Sequence, residues 1–369
     1  MGLRPNRWGK TRFETESHQL STHIGILTSG GDCPGLNAVI RAVVVKAIKR
    51  NHWQVTGILE GWKGLLREGN TRPIVLQEVS GILGIGGTIL KTSRTNPMRK
   101  ENGVNEVVQK VAELKLDAII AIGGEDTMGV AHHLSEKGIR LVGVPKTIDN
   151  DLCGTDYSFG FDTAVNTVVQ AIDRVRTTTE AHKRVMVVEV MGRHSGWIAL
   201  QGGIAGGADA ILIPERPADL DEICSLVIRR HEGGKDFSIV VVAEGVTVDR
   251  ADDADGKLVL QDLVKDEFGH VRLGGIGQVL AREIENRTGY ETREVMLGHV
   301  QRGGSPTAFD RYLCTRFGLH AVHLIEKQQF GRMVSLRGNQ IIAVPLADVA
   351  GRTKTVPPDL FEEAAVFFG

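Results

Sequence analysis

The sequence predicts an α/β fold with a mainly parallel sheet and helices on both of its faces. Three observations carry this prediction. Short runs rich in valine and isoleucine recur along the chain, helical patterns separate them, and the first run leads through a glycine-rich turn into a helix. Strands that alternate with helices pair in parallel because each helix returns the chain to the same edge of the sheet. With 369 residues, the chain is long enough for two domains.

The composition excludes several classes of protein. Hydrophobic residues make up 41% and charged residues 24% of the chain, as in ordinary globular proteins, and a net charge of -1 gives no reason to expect a nucleic acid or an anionic membrane as partner. No apolar run approaches the ~18 residues of a membrane-spanning helix. Four cysteines lie far apart, without metal-ligand spacing, which suits a reducing cytoplasm: Cys33, Cys153, Cys224 and Cys314.

The predicted elements follow one another from residue 23 onwards. Residues 1–22 are polar and lack an apolar signal core, so we expect a flexible N-terminal extension. Strands are predicted at 23–28, 54–59, 117–122, 140–144, 185–190, 210–213 and 238–243, and helices at 36–49, 105–114, 127–137, 163–179 and 220–231. The acidic, turn-rich stretch 247–256 predicts a surface hairpin or excursion, and the surface excursion is expected at about 246–272.

A glycine-rich turn, SGGDCPG at 29–35, joins the first strand to the first helix. Bare backbone N–H groups and a helix N-terminus both favour an anion. The alternative is a plain strand-to-helix turn. Three glycines and Pro34 within seven residues favour a phosphate cradle.

The stretch GVPKTIDND at 143–151 follows a buried strand and offers a second functional turn. Ligands of open α/β sheets bind at the carboxyl ends of the strands. Lys146, Thr147, Asp149 and Asp151 would supply a cation, a hydroxyl and two acids, the groups that a phosphoryl-transfer site needs. The alternative is a turn in which the aspartates cap the backbone and face solvent.

A third strand end, DAIIAIGGEDT at 117–127, carries a glycine pair followed by Glu125 and Asp126. Mg²⁺ usually takes one or two carboxylates and completes its shell with phosphate oxygens and water. Acids beside a phosphate-binding turn therefore point to Mg²⁺ as cofactor.

Taken together, these motifs resemble the 6-phosphofructokinase family. The resemblance rests on GGDCPGLNAVIR at 30–41, GGEDT at 123–127, PKTIDND at 145–151, MGRHSGW at 191–197, AEG at 243–245 and GHVQRGGSP at 298–306, in that order along the chain. It implies two similar three-layer α/β domains with mainly parallel sheets and an active site in the cleft between them. It also implies a cytoplasmic homo-oligomer, a dimer or tetramer, that phosphorylates the 1-hydroxyl of fructose 6-phosphate.

The resemblance also divides the chain. It implies a donor-binding domain from 23–160 plus about 301–350, a sugar-phosphate-binding domain at 161–300, and a C-terminal tail from about 351 to 369.

By the same resemblance, each motif residue has an expected role. Asp149 is the expected base for the sugar hydroxyl, with Thr147 and Asp151 beside it. Arg193 bridges the transferred phosphate and the sugar, which Met191, Gly192 and Glu244 also contact. His299, Arg302 and Arg293 bind the 6-phosphate, together with Arg184 from a neighbouring subunit. Arg94 and Gly31 contact the donor, and Glu125 holds Mg²⁺.

These residues also have plainer interpretations. Arginines and histidines spaced like Arg293, His299 and Arg302 are usually solvated surface groups, and Glu244 could be an ordinary acid at a strand end. A dianionic phosphate nevertheless needs about this many donors, and arginine binds it with two hydrogen bonds.

Two positions favour pyrophosphate as the phosphoryl donor. Members of the family that use ATP typically have glycine at both positions, whereas this chain has Asp126 and Lys146 and resembles the pyrophosphate-dependent branch. A carboxylate ~4 Å from a nucleotide's inner phosphate would repel it by about 4 kcal/mol at an effective dielectric constant of ~20, or roughly a thousandfold in affinity. Lys146 would supply a cation to a donor that has no adenosine to anchor it.

Two other functions compete with this interpretation. One is an ATP-dependent 6-phosphofructokinase in which Asp126 and Lys146 merely repack. The other is a non-catalytic regulatory subunit that binds sugar phosphate, which the presence of Asp149, Arg193 and Glu125 disfavours.

Overall fold

A computed structural model describes residues 22–250, 253–258, 260–262 and 272–368. The predicted N-terminal extension therefore lies outside the described residues except for Thr22, as does much of the predicted excursion. Within that excursion, the backbone forms an antiparallel pair of strands, in agreement with the predicted hairpin.

The elements alternate between strands and helices through most of the chain. The strands are β1 (His23–Thr28), β2 (Gln54–Ile58), β3 (Thr71–Pro73), β4 (Ala118–Gly123), β5 (Leu141–Pro145), β6 (Val185–Val190), β7 (Ala210–Leu212), β8 (Ser238–Ala243), β9 (Thr247–Arg250), β10 (Asp253–Leu258), β11 (Leu260–Asp262), β12 (Arg272–Leu273), β13 (Thr292–Met296), β14 (Arg332–Arg337) and β15 (Gln340–Pro345). The helices are α1 (Leu36–Val45), α2 (Gly103–Glu113), α3 (Glu125–Glu136), α4 (Phe161–Ala181), α5 (Trp197–Gly206), α6 (Leu220–Glu232), α7 (Ile276–Thr288), α8 (Ala308–Glu326) and α9 (Pro358–Ala365).

The larger sheet has the strand order β15-β14-β5-β4-β1-β2-β3. Its central strands β2, β1, β4, β5 and β14 are parallel, and β3 and β15 pair antiparallel at the two edges. The chain leaves β1 for β2 on one side and later returns to β4 on the other side. Ligands of such sheets bind where the strand order reverses, which is here the carboxyl edge of β1 and β4.

Side chains of β4 alternate between two apolar layers, as the period of a strand requires. Ile120 and Ile122 belong to the core that contains α1 and α8, whereas Ile119 and Ala121 belong to the core that contains α3. Helices therefore cover both faces of this sheet. The sequence prediction of a mainly parallel sheet between helical layers is confirmed.

The smaller sheet is parallel throughout and has the order β13-β6-β8-β7. Helices α4 and α5 pack against each other beside it, as do α6 and α7. Its strands come from the middle of the chain, and the larger sheet takes strands from both ends. The predicted domain boundaries themselves stay a prediction.

Candidate active site

The turns at the carboxyl ends of β1, β4, β5 and β6 meet in one solvent-open cleft of about 720 Å³. Residues of both sheets line it: Gly30, Gly31, Gly124, Glu125, Asp126, Thr127, Lys146, Thr147, Asp149, Asp151, Arg193, His194, Arg302 and Thr353. Three turns that the sequence singled out separately therefore form the walls of a single site.

The glycine turn after β1 presents bare backbone to the cleft. Gly30 has a φ of +82°, a left-handed conformation that glycine adopts at little cost, and its N–H donates to the Ser93 carbonyl at 3.0 Å. A Cβ on Gly31 would overlap the Arg302 guanidinium, so only glycine lets this arginine lie over the turn. Arg302 also donates to the Asp32 carbonyl at 3.3 Å. The turn thus combines unobstructed backbone with a cation, as a phosphate cradle requires.

Lys146 lies between the turns after β1 and β5. Its side chain is only 4% exposed, and its ammonium donates a hydrogen bond to the Gly31 carbonyl. Burial, with the Arg302 guanidinium nearby, lowers the pKa of Lys146 to about 8. A lysine held in this way places a cation at the floor of the cradle, beside the position expected for the transferred phosphate.

Asp149 has a buried carboxylate oxygen without a hydrogen-bond partner in the described part of the chain. The residue is 4% exposed, and its Oδ1 makes no hydrogen bond to any of the described residues. The backbone N–H of Asp149 donates to the Thr147 hydroxyl at 3.0 Å, which fixes the turn. A buried acceptor without a donor costs about 1–3 kcal/mol, and a substrate hydroxyl would relieve that cost. This oxygen is therefore open to a hydrogen-bond donor, and the predicted role of Asp149 as the base stays a prediction.

Two more acids gather around Asp149. Burial raises the pKa of Asp151, and the charge of Asp149 raises it further. The same two causes raise the pKa of Glu244 to about 7. The raised pKa values of Asp151 and Glu244 reflect the cost of burying further negative charge beside Asp149. Acids of perturbed pKa in a cleft are typical of catalytic sites.

Arg193 reaches the cleft from the turn after β6 in a strained conformation. Its φ is +52°, which non-glycine residues seldom adopt. The Arg193 N–H donates to Glu244 Oε1 at 3.2 Å, and a Cβ on Gly245 would overlap the Arg193 carbonyl oxygen. The Glu244-Gly245 pair after β8 thus holds Arg193 at the cleft. Met191 and Gly192 are buried just before it and do not line the cleft.

The first turn of α3 forms the opposite wall. Gly124 precedes the helix, and Glu125 and Asp126 are its first two residues, where acids also complement the helix dipole. Glu125 accepts a hydrogen bond from the Gly351 N–H at 2.7 Å. No group of three acidic, histidine or cysteine side chains that could hold a metal ion occurs among the described residues.

Four further residues lie apart from these walls: Arg184, Arg293 and His299, predicted at the 6-phosphate, and Arg94, predicted at the donor. Arg184 and Arg293 share Glu291, at 2.8 and 2.6 Å, and His299 is exposed to solvent. Arg94 is exposed on a loop whose Ser93 supports the glycine turn. None of these four lines the cleft, and their roles stay predictions. Arg302, predicted at the 6-phosphate, lies over Gly31 on the donor side.

Sequence reasoning missed several residues of the cleft wall. Thr127 and His194 belong to motifs that the sequence analysis quoted. Thr127 lies two residues after Glu125 and His194 directly follows Arg193, and this proximity could have identified both as residues of the cleft. Thr353 had no such signal because it follows β15, in the predicted C-terminal tail. This segment packs on the site and continues into α9.

Comparisons with known proteins extend over nearly the whole chain. The family profile named Phosphofructokinase matches residues 23–325. A pyrophosphate--fructose 6-phosphate 1-phosphotransferase of Amycolatopsis methanolica is 57% identical over 94% of this chain and 99% of that protein. An ATP-dependent 6-phosphofructokinase 3 of Streptomyces coelicolor is 52% identical over 92% of this chain and 98% of that protein. The crystal structure of Pichia pastoris phosphofructokinase has a TM-score of 0.77 at 31% identity, covering 94% of this chain and 36% of that chain.

Proposed function

This chain belongs to the phosphofructokinase family and is a phosphotransferase, and we propose that it transfers a phosphoryl group from pyrophosphate to the 1-hydroxyl of fructose 6-phosphate. The observation that carries the choice of donor is the placement of Asp126 and Lys146 in the same cleft as Asp149. Lys146 supplies a buried cation, and Asp126 opposes the further negative charge that a nucleotide would bring.

The reaction is a direct in-line transfer without a covalent enzyme intermediate. The sugar hydroxyl attacks a phosphorus atom of pyrophosphate, Asp149 accepts the hydroxyl proton, and inorganic phosphate leaves. Lys146 and Arg193 stabilise the charge that develops on the moving phosphoryl group. Pyrophosphate and the sugar phosphate ester are close in transfer potential, so the enzyme works in both directions and serves glycolysis or gluconeogenesis.

Glu125 is the residue that would hold Mg²⁺. Its carboxylate lines the cleft and suits an ion that takes most of its ligands from phosphate and water. When bound, the ion would neutralise part of the charge of pyrophosphate.

The sugar side of the site is formed by Arg193, Met191, Gly192 and Glu244, and the 6-phosphate is bound by residues of two subunits. Arg184 supports this arrangement because it lies at Glu291, away from the cleft of its own chain. Arg184 is donated across the interface of a homo-oligomer.

A cytoplasmic location stays a prediction. The four cysteines are free, and no helix among the described residues is long and apolar enough to cross a membrane.

An ATP-dependent activity is the second candidate because one relative at 52% identity has that name. The test is the initial rate of fructose 1,6-bisphosphate formation from fructose 6-phosphate and Mg²⁺, with pyrophosphate or ATP at equal concentration. Turnover with pyrophosphate alone supports the proposal. Turnover with ATP alone overturns the choice of donor, and turnover with neither would favour the non-catalytic sugar-phosphate-binding subunit.

A further inference from the structure

We infer that Thr353 is a further donor-binding residue, and that residues 351–356 (GRTKTV), called the strap below, form a wall of the active site that holds it there. This inference rests on the proposed function, since it assigns a contact to the phosphates of the donor. The strap follows β15 and the short turn after it, and it returns to the cleft from the far end of the described chain.

On one side, the strap is joined to two turns of the candidate active site. The Gly351 N–H donates to the Glu125 carboxylate at 2.7 Å, and the Lys354 N–H donates to the Asp151 carbonyl at 2.7 Å. Between these two contacts, Thr353 forms an antiparallel bridge with Leu152. The backbone on either side of Thr353 is thereby fixed to the turns that follow β4 and β5.

On the other side, the strap is joined to the start of α5. The Trp197 indole donates to the Lys354 carbonyl at 3.0 Å, and the Val356 N–H donates to Glu215 at 2.8 Å. Glu215 also accepts the Gly196 N–H at 3.0 Å. The strap therefore links the large-sheet turns to the segment that follows Arg193.

The Lys354 ammonium completes the anchor. It donates to the Thr155 and Asp156 carbonyls at 2.9 and 3.0 Å and lies 5.1 Å from the centre of the Trp197 ring. Burial lowers the pKa of Lys354 to about 8, whereas the carbonyl acceptors and the aromatic face favour its charged form. This lysine fixes the strap and leaves the neighbouring Thr353 side chain turned to the cleft.

Thr353 is the member of the strap that lines the cleft, together with Gly31, Glu125 and Asp126. It is exposed, and no described residue forms a hydrogen bond with its hydroxyl. Phosphate oxygens accept hydrogen bonds from such hydroxyls, and a charged acceptor strengthens the bond. Thr355, two residues along the same strap, is also exposed but does not line the cleft, so it provides a matched control.

The test compares Thr353→Val, Thr353→Ser and Thr355→Val. We expect Thr353→Val, which keeps the shape and loses the hydroxyl, to raise the KM and the calorimetric Kd for magnesium pyrophosphate about tenfold or more. The KM for fructose 6-phosphate should stay within about twofold of wild type, as should every constant for Thr353→Ser and Thr355→Val.

Three results would overturn the inference: unchanged pyrophosphate binding in Thr353→Val, an effect on fructose 6-phosphate alone, or equal losses in Thr353→Val and Thr355→Val. A wild-type enzyme that uses ATP and not pyrophosphate would instead contradict the proposed function. The KM for ATP in the same three variants would then decide whether Thr353 contacts the donor.

Discussion

The Lys146 ammonium donates a hydrogen bond to the Gly31 carbonyl oxygen, and this contact joins the turn after β5 to the turn after β1. One turn carries the expected base and the other presents bare backbone to the donor. Under the proposed function, the cation lies between the expected base and the expected donor phosphate, and its protonation state changes the charge beside the donor.

The pH dependence of donor use follows from Lys146. Because its pKa is lowered to about 8, the ammonium is present below pH 8 and is lost as the pH rises through that value. We expect kcat/KM for pyrophosphate to fall above about pH 8 at saturating fructose 6-phosphate. The measurement is a profile from pH 6.5 to 9.5. Lys146→Arg, which keeps its charge throughout this range, is the control, and an identical alkaline limb in that variant would assign the titration to another group.

Replacement of the expected base separates chemistry from folding. Asp149→Asn keeps the size of the side chain and removes the proton acceptor, so we expect kcat to fall by about 10²–10⁴-fold. Because Asp149 Oδ1 has no partner among the described residues, we expect the melting temperature not to fall. Steady-state kinetics and thermal unfolding measure the two effects. A variant that retained most of the wild-type kcat would show that another group takes the proton.

A methyl group on the glycine turn tests the phosphate cradle. In Gly31→Ala, the new Cβ would displace the Arg302 guanidinium, so we expect the Kd for pyrophosphate to rise at least tenfold. Gly129→Ala is the control because residue 129 lies inside α3 and a Cβ there would have no atom within 4 Å. It should bind pyrophosphate normally and stabilise the protein by about 0.5–1 kcal/mol. Equal pyrophosphate affinity in the two variants would refute this role for the turn.

Asp310 gives a prediction about stability. It is fully buried and accepts hydrogen bonds from the Gly160 N–H, the Thr163 N–H and the Thr163 hydroxyl at 3.0, 2.9 and 2.6 Å. Burial raises its pKa from 3.8 to about 6. Between these values the folded state holds a proton that the unfolded state releases, so the stabilising contribution of Asp310 is complete below pH 3.8 and declines as the pH rises to 6.

We therefore expect the free energy of unfolding of wild type to fall between pH 4.5 and 6.5 relative to that of Asp310→Asn, by on the order of 2 kcal/mol. Urea unfolding at several pH values measures the difference. Asp173→Asn, at an exposed position of α4, should show no such trend. A constant gap between wild type and Asp310→Asn would contradict the assignment.

The strand ends were predictable because each functional turn follows a run of buried, β-branched residues. The strands β1, β6 and β8 begin and end where the pattern indicates, and the turns that follow β1, β4 and β5 meet because the carboxyl ends of parallel strands share an edge. The termini of α4 were predicted to within two residues because its sequence has a clear helical pattern.

Other features depend on contacts that no local pattern encodes. Thr353 reaches the cleft through hydrogen bonds to Glu125, Asp151 and Trp197 made by its neighbours, all distant in sequence. Arg302 can lie over Gly31 in this position because that residue has no Cβ. Such tertiary relationships become visible only when the two sheets and the strap are assembled.

The most direct test of the account is donor preference in wild type and in the double variant Asp126→Gly/Lys146→Gly. The measurement is kcat/KM for pyrophosphate and for ATP, each at saturating fructose 6-phosphate and Mg²⁺. The account predicts that wild type turns over with pyrophosphate and not with ATP. In the double variant, it predicts either that the ratio of kcat/KM for ATP to kcat/KM for pyrophosphate rises at least a hundredfold, or that activity with pyrophosphate is lost. Robust wild-type turnover with ATP would contradict the charge argument at Asp126 and Lys146.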